Sequence, residues 1–173
     1  MPVLLLVVFA GLPGTGKSTL ASEVARLRNG VWLRVDTAEA AMLKAGLSRS
    51  DETGLAAYIV ARDIAADQLR LGRAVVIDAV NGVEEAREMW HTLANESGAT
   101  RFVVEVRCSN PKEHRRRVES RGPPTPPLPL PTWEEVRVRE YQPWNEPILT
   151  VDTAEPHEQV IDRILSYLSN RTE

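Results

Sequence analysis

The sequence predicts an α/β fold in a single domain, with a parallel sheet of five strands and helices on both faces of the sheet. Two observations carry this prediction. Short apolar runs alternate with longer segments of helical spacing, which is typical of parallel strands joined by right-handed crossovers. The length of 173 residues, with 43% hydrophobic and 26% charged side chains, suits one folded domain.

The predicted strands are short and apolar. In chain order they are Val3–Phe9, Val31–Val35, Ala74–Ile77, Phe102–Arg107 and Ile148–Val151. The first is apolar at every position, as expected for a strand that helices cover on both faces. It is far shorter than the ~20 residues of a membrane-spanning helix, and no Lys or Arg precedes it as in a signal peptide. We therefore expect no membrane association.

The predicted helices fill the intervals between the strands and the C-terminal end. In chain order they are Lys17–Arg28, Thr37–Ala45, Thr53–Leu71, Val83–Ser97, Pro111–Arg121, Thr132–Tyr141 and Glu155–Leu168. Apolar residues recur at helical spacing, for example Leu55, Ile59, Ile64 and Leu69 in the third helix. Thr132 and Glu135 form the pattern of a capping box at the start of the sixth.

Charge and cysteine content exclude several classes of protein. The net charge is −3, whereas a protein that binds duplex nucleic acid through its phosphates is usually basic. The single cysteine, Cys108, excludes an intramolecular disulfide and a site with several cysteine ligands for a metal. These features favour a cytoplasmic protein, and they do not favour nucleic acid as a partner.

The strongest motif follows the first predicted strand. Residues 11–18 read GLPGTGKS, which satisfies G-x-x-x-x-G-K-[ST] between a strand and a helix, the context of a P-loop. Its backbone N–H groups and the helix N-terminus form an anion site for ATP. Lys17, expected to be exposed, would reach the β- and γ-phosphates, and Ser18 would bind Mg²⁺. The predicted nucleotide-binding residues of this motif are Gly11, Pro13, Gly14, Thr15, Gly16, Lys17, Ser18 and Thr19.

The motif identifies the phosphate donor but not the acceptor. The Asn-Lys-x-Asp pattern of GTPases does not occur in the sequence. The third predicted strand ends at Asp78 in VVIDAVN, and no Glu follows the aspartate to polarise a hydrolytic water. The sequence therefore favours phosphoryl transfer to a bound acceptor over transfer to water.

The motifs together resemble those of small P-loop kinases that are often labelled AAA-type ATPases. They are GLPGTGKST, VD after the second strand, VVIDAVN, the basic segment HRRRVESR, and PTWEEV, EYQPW and VDTA towards the C-terminus. The wider group includes gluconate and shikimate kinases, chloramphenicol phosphotransferase, zeta-toxin-like kinases and polynucleotide kinases. The resemblance covers nearly the whole chain and implies a P-loop NTPase fold with a helical lid and an ATP-dependent kinase activity. It does not specify the acceptor, and the remaining length leaves no room for the additional parts of a ring-forming unfoldase.

The resemblance also implies roles for polar residues at the strand ends. Asp36 matches the position that holds the acceptor hydroxyl, although it also suits the N-cap of the helix Thr37–Ala45. Asp78 matches a Walker-B-like carboxylate that binds Mg²⁺ or the acceptor, with a plain turn residue as the alternative. Asn81 and Arg87 match a pattern that lines the acceptor side, and a solvated helix face is the alternative for Arg87.

The predicted basic helix corresponds in the resembling kinases to a lid over ATP. Arg117 and Arg121 lie four residues apart on one helical face, and the resemblance implies that they neutralise charge on the transferred phosphoryl group. We expect them to gain a partner only when a triphosphate is bound. A solvated basic helix and a nucleic-acid patch are the alternatives. The proline-rich segment 123–131 is expected to connect this lid, which spans about residues 111–131, with a PxxP-type partner ligand as the alternative.

One further candidate and the three histidines remain to be interpreted. Asp152, in VDTA, is a candidate for the nucleotide site, because adenine usually stacks near this turn in similar kinases. His91, His114 and His157 share no metal-ligand spacing and are interpreted as surface residues.

The leading hypothesis is therefore transfer of the γ-phosphate of ATP to a hydroxyl of a small-molecule acceptor. A polynucleotide or nucleoside 5′-hydroxyl kinase and a nucleotide-binding regulatory ATPase module are the alternatives. The sequence leaves the identity of the acceptor and the oligomeric state open.

Overall fold

A computed structural model describes residues 3–120 and 128–169, which form five strands and seven helices. The strands are β1 (Leu5–Ala10), β2 (Val31–Arg34), β3 (Val75–Asp78), β4 (Thr100–Arg107) and β5 (Leu149–Asp152). The helices are α1 (Lys17–Leu27), α2 (Val35–Lys44), α3 (Asp51–Arg70), α4 (Glu84–Ser97), α5 (Pro111–Glu119), α6 (Trp133–Val138) and α7 (His157–Ser169). The predicted order of strands and helices is confirmed.

All strand pairs of the sheet are parallel, in the order β2-β3-β1-β4-β5. The central strand β1 lies between β3 and β4, so the P-loop that follows it emerges at the middle of one sheet edge. The register pairs Phe9 of β1 with Asp78 of β3, and Asp78 with Arg34 of β2. This alignment brings the carboxyl ends of three strands together beside the P-loop.

Two apolar cores lie on opposite faces of the sheet. Leu5, Val7 and Phe9 of β1 pack with residues of α1 and α7, while Leu6 and Val8 pack with residues of α3 and α4. Because side chains alternate along a strand, a strand covered on both faces must be apolar throughout. The predicted α/β fold with helices on both faces is confirmed.

Of the four large apolar residues that mark the periodicity of α3, Leu69 lies in the buried stripe at 2% exposed, and the other three lie outside it. Ala57 and Ala61 face the core, whereas Leu55, Ile59 and Ile64 are between 42% and 56% exposed. Both stripes satisfy helical spacing, so periodicity predicts the helix but not its buried face. None of the helices in residues 3–120 and 128–169 combines the length and hydropathy that crossing a membrane requires.

Candidate active site

The P-loop takes its shape from three glycines with left-handed or positive-φ backbone. Gly11, Gly14 and Gly16 have φ angles of 144°, 82° and 92°. A Cβ atom on Gly11 would lie 2.4 Å from the Val106 carbonyl oxygen, and one on Gly14 would lie 2.5 Å from Val118 Cγ2. Both contacts are too close for any side chain, so the loop needs glycine for its conformation and for its approach to β4 and α5.

Lys17, the first residue of α1, forms a buried ion pair with Asp78 at the end of β3. Its Nζ donates to Asp78 Oδ1 at 2.9 Å, and the two residues are 8% and 3% exposed. The expectation that Lys17 is exposed is wrong, because β3 ends directly beside the P-loop. Trp32 Nε1 donates to Asp78 Oδ2 at 3.3 Å, and Arg34 Nε lies 3.7 Å from the same oxygen.

Trp32 and Arg34 are partners of Asp78 that sequence reasoning missed. Arg34 stands opposite Asp78 in the parallel register of β2 and β3. The signal that would have found it is its position as the last residue of the neighbouring strand. The P-loop lysine, an arginine and an indole N–H group thus all lie close to one buried carboxylate.

Ser18 and Thr19 follow Lys17 in the first turn of α1. Ser18 is partly exposed, and its hydroxyl has no hydrogen-bond partner among residues 3–120 and 128–169, so it is available as a ligand. Thr19 lines a cavity on the outer side of the P-loop. The described parts of the chain contain no cluster of three or more His, Cys, Asp or Glu side chains arranged to hold a metal.

This outer cavity, which we call the donor cavity, has a volume of about 510 Å³. Gly14, Gly16 and Thr19 line it from the P-loop side, and Arg117, Thr153, Glu155 and His157 line it from the other. Arg117 of α5 donates to Thr153 Oγ1 at 2.8 Å, and Thr153 Oγ1 donates to the Thr15 carbonyl oxygen at 2.6 Å. Thr153, which sequence reasoning missed, therefore joins the basic helix to the P-loop.

Arg117 has partners within the protein itself. Besides Thr153, its Nε donates to Glu113 Oε1 at 2.7 Å. The expectation that Arg117 gains a partner only with a bound triphosphate is therefore wrong. Hydrogen bonds from Arg116 and Arg117 lower the pKa of Glu113 to about 2, so this carboxylate stays ionised. Arg121 and residues 123–127 of the proline-rich segment lie outside the described residues.

His114 attaches α5 to the P-loop from a second side. It is 8% exposed, its Nε2 lies 2.8 Å from the Pro13 carbonyl oxygen, and its ring packs edge-on against Trp133 at 5.0 Å. The interpretation of His114 as a surface residue is wrong, because α5 packs on the P-loop. His157 pairs with Glu23 and lines the donor cavity, and His91 is exposed as expected.

Asp152 holds two loops together and does not line the donor cavity. Its Oδ1 accepts hydrogen bonds from the backbone N–H groups of Ser109, at 3.0 Å, and Ala154, at 2.9 Å. Burial acts to raise the pKa of Asp152, but these hydrogen bonds outweigh it and keep the pKa below its usual range. The next residue, Thr153, faces the cavity in its place.

A second cavity of about 720 Å³, which we call the acceptor cavity, lies on the other side of the P-loop. Pro13, Asp36 and Tyr58 line it, and residues 128–131 of the proline-rich segment contribute further walls. The strand β2 ends at Arg34 and α2 begins at Val35, so Asp36 lies in the first turn of the helix. The N-cap of α2 is Arg34, which corrects the alternative that Asp36 caps this helix.

Tyr58 is a polar residue of the acceptor cavity that sequence reasoning missed. Its hydroxyl accepts a hydrogen bond from the Asn81 backbone N–H at 3.2 Å. Burial raises the pKa of Tyr58, Asp36 raises it further, and Arg139 acts in the opposite direction. The phenol therefore stays protonated at neutral pH and can donate a hydrogen bond.

Asn81 and Arg87 stabilise the loop after β3 and do not line the acceptor cavity. Asn81 is fully buried with φ of 50°, and its side chain binds the Phe9 carbonyl oxygen and Trp90 Nε1, both at 2.8 Å. Arg87 is 3% exposed, stacks on Trp144 at 4.0 Å and donates to the backbone carbonyl of Asn81. The alternative of a solvated helix face is wrong for Arg87, because its guanidinium group is buried and donates to backbone carbonyls. The contact of the two residues with an acceptor stays a prediction.

Comparison with known proteins agrees with this geometry. The family model described as an AAA domain matches residues 6–140, which is more than half of the chain. A search of the curated proteins finds no match to the sequence.

Solved structures of kinases share the fold over nearly the whole chain. An APS kinase of Mycobacterium tuberculosis, in complex with AMPPNP and APS, has a TM-score of 0.74 at 20% identity, over 97% of this chain and 99% of that chain. A sugar kinase from Janibacter sp. HTCC2649 has a TM-score of 0.73 at 18% identity, over 98% of this chain and 96% of that chain. A gluconokinase from Sinorhizobium meliloti 1021 has a TM-score of 0.73 at 16% identity, over 99% of this chain and 95% of that chain. At such low identity the likeness establishes the fold and leaves the acceptor open.

Proposed function

The chain belongs to the AAA domain family, and on that premise we propose that it is a single-domain ATP-dependent phosphotransferase that moves the γ-phosphate to a hydroxyl of a small-molecule acceptor. Its fold is that of P-loop kinases. The proposal concerns the donor, the acceptor and the roles of individual residues, which a shared fold alone does not assign.

One observation carries the proposal: the P-loop separates two cavities. Pro13 lines the acceptor cavity, and the next residue, Gly14, lines the donor cavity. A phosphotransferase needs two sites that meet at one phosphoryl group, whereas an ATP hydrolase needs only the nucleotide site and a water molecule. Two cavities that meet at the phosphate-binding loop therefore favour transfer over hydrolysis.

The donor cavity would hold ATP, with its phosphates in the P-loop. The backbone N–H groups of residues 14–18 would bind the phosphate oxygens at the N-terminus of α1. Lys17 would leave Asp78 for the β- and γ-phosphates, and Arg117 already lies at this cavity to stabilise charge that develops during transfer. We retain the same role for Arg121 as an expectation from the sequence.

A magnesium ion fits the residues beside the P-loop. Ser18 has a hydroxyl without a partner in the described residues, and Asp78 is a buried carboxylate within reach of the same loop. These two residues would hold Mg²⁺ together with the phosphates of ATP, as is usual for an ion that keeps few protein ligands. When bound, the ion neutralises phosphate charge.

The acceptor cavity would hold the substrate hydroxyl close to Asp36. This carboxylate is exposed to the cavity and makes no hydrogen bond or ion pair with another described residue, so it is free to bind a ligand. It would accept the proton of the hydroxyl and direct the oxygen towards the γ-phosphate. The hydroxyl of Tyr58 would act as a second positioning group.

Label transfer from γ-labelled ATP to a panel of metabolites and oligonucleotides tests the proposal. We expect Asp36→Asn to lower transfer by ~10²-fold or more, the usual contribution of a general base. ATP affinity should change little, because Asp36 faces the acceptor cavity and not the donor cavity. Asp162→Asn, which changes an exposed carboxylate of α7, is the matched control and should leave both quantities unchanged.

Two results would contradict the proposal. Loss of ATP binding in Asp36→Asn would make Asp36 a metal ligand or a structural residue. Hydrolysis of ATP without label transfer to any member of the panel would favour the regulatory ATPase module.

A further inference from the structure

The acceptor cavity carries a marked excess of negative charge. Five carboxylates line it, those of Asp36, Glu39, Asp51, Glu85 and Glu140. Two guanidinium groups, of Arg49 and Arg139, oppose them, which leaves a net charge of −3 on the lining. The arginine-rich helix α5 lines the donor cavity through Arg117 and contributes no side chain to the acceptor cavity.

Within the part of the chain that the structure describes, these charged side chains are not joined in ion pairs. None of the seven side chains forms an ion pair with another residue of the described ranges. The carboxylates therefore act on whatever enters the cavity. A concave surface lined by one sign of charge concentrates ligands of the opposite sign and repels ligands of the same sign.

Negative charge also predominates around the hydroxyl of Tyr58, a polar group of the cavity lining. Three charged side chains act on the hydroxyl of Tyr58, and two of them, Asp36 and Glu39, are negative, against Arg139 alone. Arg49 acts instead on Glu135, a carboxylate at the start of α6. The two arginines thus have different neighbours, and this arrangement does not favour binding of one carboxylate or phosphate by both guanidinium groups.

The remaining lining is strongly apolar. Side chains of α3, of the loop after β3, of α4 and of the proline-rich segment contribute it, namely those of Leu55, Val83, Met89, Leu128 and Leu130. An acceptor that fills this space must cover these side chains with an apolar face of its own.

We propose that the acceptor carries no anionic group and is a hydroxyl compound, cationic or neutral, with an apolar face. This inference rests on the proposed function, because it concerns the acceptor cavity of that reaction. An anion in this cavity would meet five carboxylates that form no ion pair with a described residue, whereas an ammonium group would find them as partners. Polynucleotides, with a phosphate on each nucleotide, are excluded as acceptors.

Fragment binding to the full chain tests this assignment without ATP. Three sets of small hydroxyl fragments are matched in size and apolar surface: alcohols, amino alcohols and hydroxy acids. Binding is measured from chemical-shift changes at Tyr58, Ala86 and Met89, which line the cavity. We expect alcohols and amino alcohols to bind there, and amino alcohols to bind at least about tenfold more tightly than hydroxy acids.

A pair of charge variants makes the test specific to the cavity. The double variant Glu39→Gln/Glu85→Gln removes two of its negative charges and should reduce the preference for amino alcohols over hydroxy acids by about fivefold. The double variant Glu158→Gln/Asp162→Asn removes two exposed carboxylates from α7 and should leave the preference unchanged. An equal effect of both variants would assign the preference to the net charge of the protein and would overturn the inference.

Other outcomes separate this inference from the proposed function. Hydroxy acids that bind the cavity as tightly as amino alcohols, or a cavity that binds no fragment of any class, would overturn it. Phosphoryl transfer to a hydroxy acid would overturn the inference and leave the kinase activity standing. The expected binding preference without any transfer of label would instead contradict the kinase activity.

Discussion

The Asp78 carboxylate shows how one residue organises the site. It is buried, it pairs with Lys17 at 2.9 Å, and Trp32 and Arg34 approach its other oxygen. Triphosphate bound in the P-loop would compete with Asp78 for Lys17, and Arg34 and Trp32 would continue to compensate the carboxylate. We therefore expect the lysine to contribute to stability as well as to the proposed phosphate binding.

Lys17→Ala is expected to lower ATP turnover by more than ~10²-fold, because it removes a cation at the transferred phosphate. It should also lower the free energy of unfolding by about 1–3 kcal/mol, since it leaves Asp78 buried with one partner fewer. Turnover assays and urea unfolding measure the two effects. The double variant Lys17→Ala/Asp78→Asn should regain part of the stability and none of the turnover. Wild-type turnover in Lys17→Ala would contradict the P-loop assignment.

The Glu113 carboxylate gives a test of the contacts that hold Arg117. Its pKa of about 2 lies below the ordinary value of 4.5 because Arg116 and Arg117 donate hydrogen bonds to it. The stabilisation from a lowered carboxyl pKa is fully present above pH 4.5 and is lost as the pH falls through about 2. Carbon-13 NMR titration of the carboxyl group should show this low value, and Arg117→Gln should raise it. An ordinary pKa in the wild type would contradict the Glu113–Arg117 contact.

At the scale of elements, α5 is the helix that joins the P-loop to the turn after β5. His114 contacts Pro13, Val118 packs against Gly14, and Arg117 reaches Thr153 after β5. These contacts come from one face of the helix, at spacings of three and four residues. The helix expected to form a lid thus contacts the P-loop through His114 and Val118, and the described end of the proline-rich segment lines the acceptor cavity.

Helix α3 gives a matched pair of variants that tests which of its stripes is buried. Ala61 is 3% exposed and faces the core, so Ala61→Leu should lower the free energy of unfolding by about 1–3 kcal/mol through overpacking. Ile59 is 44% exposed, so Ile59→Ala should change it by less than about 0.5 kcal/mol. Urea unfolding of both variants measures the difference. A larger loss for Ile59→Ala would mean that the large apolar stripe faces the core.

At the scale of the whole molecule, the sheet order places the P-loop between two cavities. The strand β1 lies at the centre of the order β2-β3-β1-β4-β5. The acceptor cavity draws on segments after β2 and β3 and also on residues 128–131, 139 and 140 after β4, whereas the donor cavity draws on segments after β4 and β5. The two cavities therefore lie on either side of the phosphate loop, and the long segment between β4 and β5 contributes to both.

Nucleotide binding should stabilise the whole fold, because the donor cavity is built from segments distant in sequence. A non-hydrolysable ATP analogue with Mg²⁺ at 100 times its Kd should add about 2.7 kcal/mol to the free energy of unfolding. For a chain of this size that corresponds to a rise in Tm of roughly 5–11 °C. Differential scanning fluorimetry measures it, and Lys17→Ala should show a smaller rise at the same concentration. An unchanged Tm in the wild type would contradict nucleotide binding at the P-loop.

The sequence by itself determined the elements and the phosphate loop. Alternation of apolar strands with helical segments predicted all twelve elements of the described chain, and boundaries differ by a few residues. The glycine pattern predicted the loop because the required backbone is encoded within eight consecutive residues. The Thr132–Glu135 capping box was predictable for the same reason, since both of its hydrogen bonds lie within one turn. Local spacing is sufficient wherever the interacting groups are close in the chain.

Only the tertiary structure decided which side chains face the two cavities. Lys17 and Asp78 are 61 residues apart, and their contact depends on the parallel pairing of β1 with β3. Asn81 and Arg87 fit an acceptor pattern in sequence, yet packing places them in the core because they have buried backbone groups to satisfy. His114 and Thr153 carry no local motif, since their roles arise where α5 and the turn after β5 meet the P-loop. Contacts between distant segments are set by strand order and helix packing, and one-dimensional spacing does not contain them.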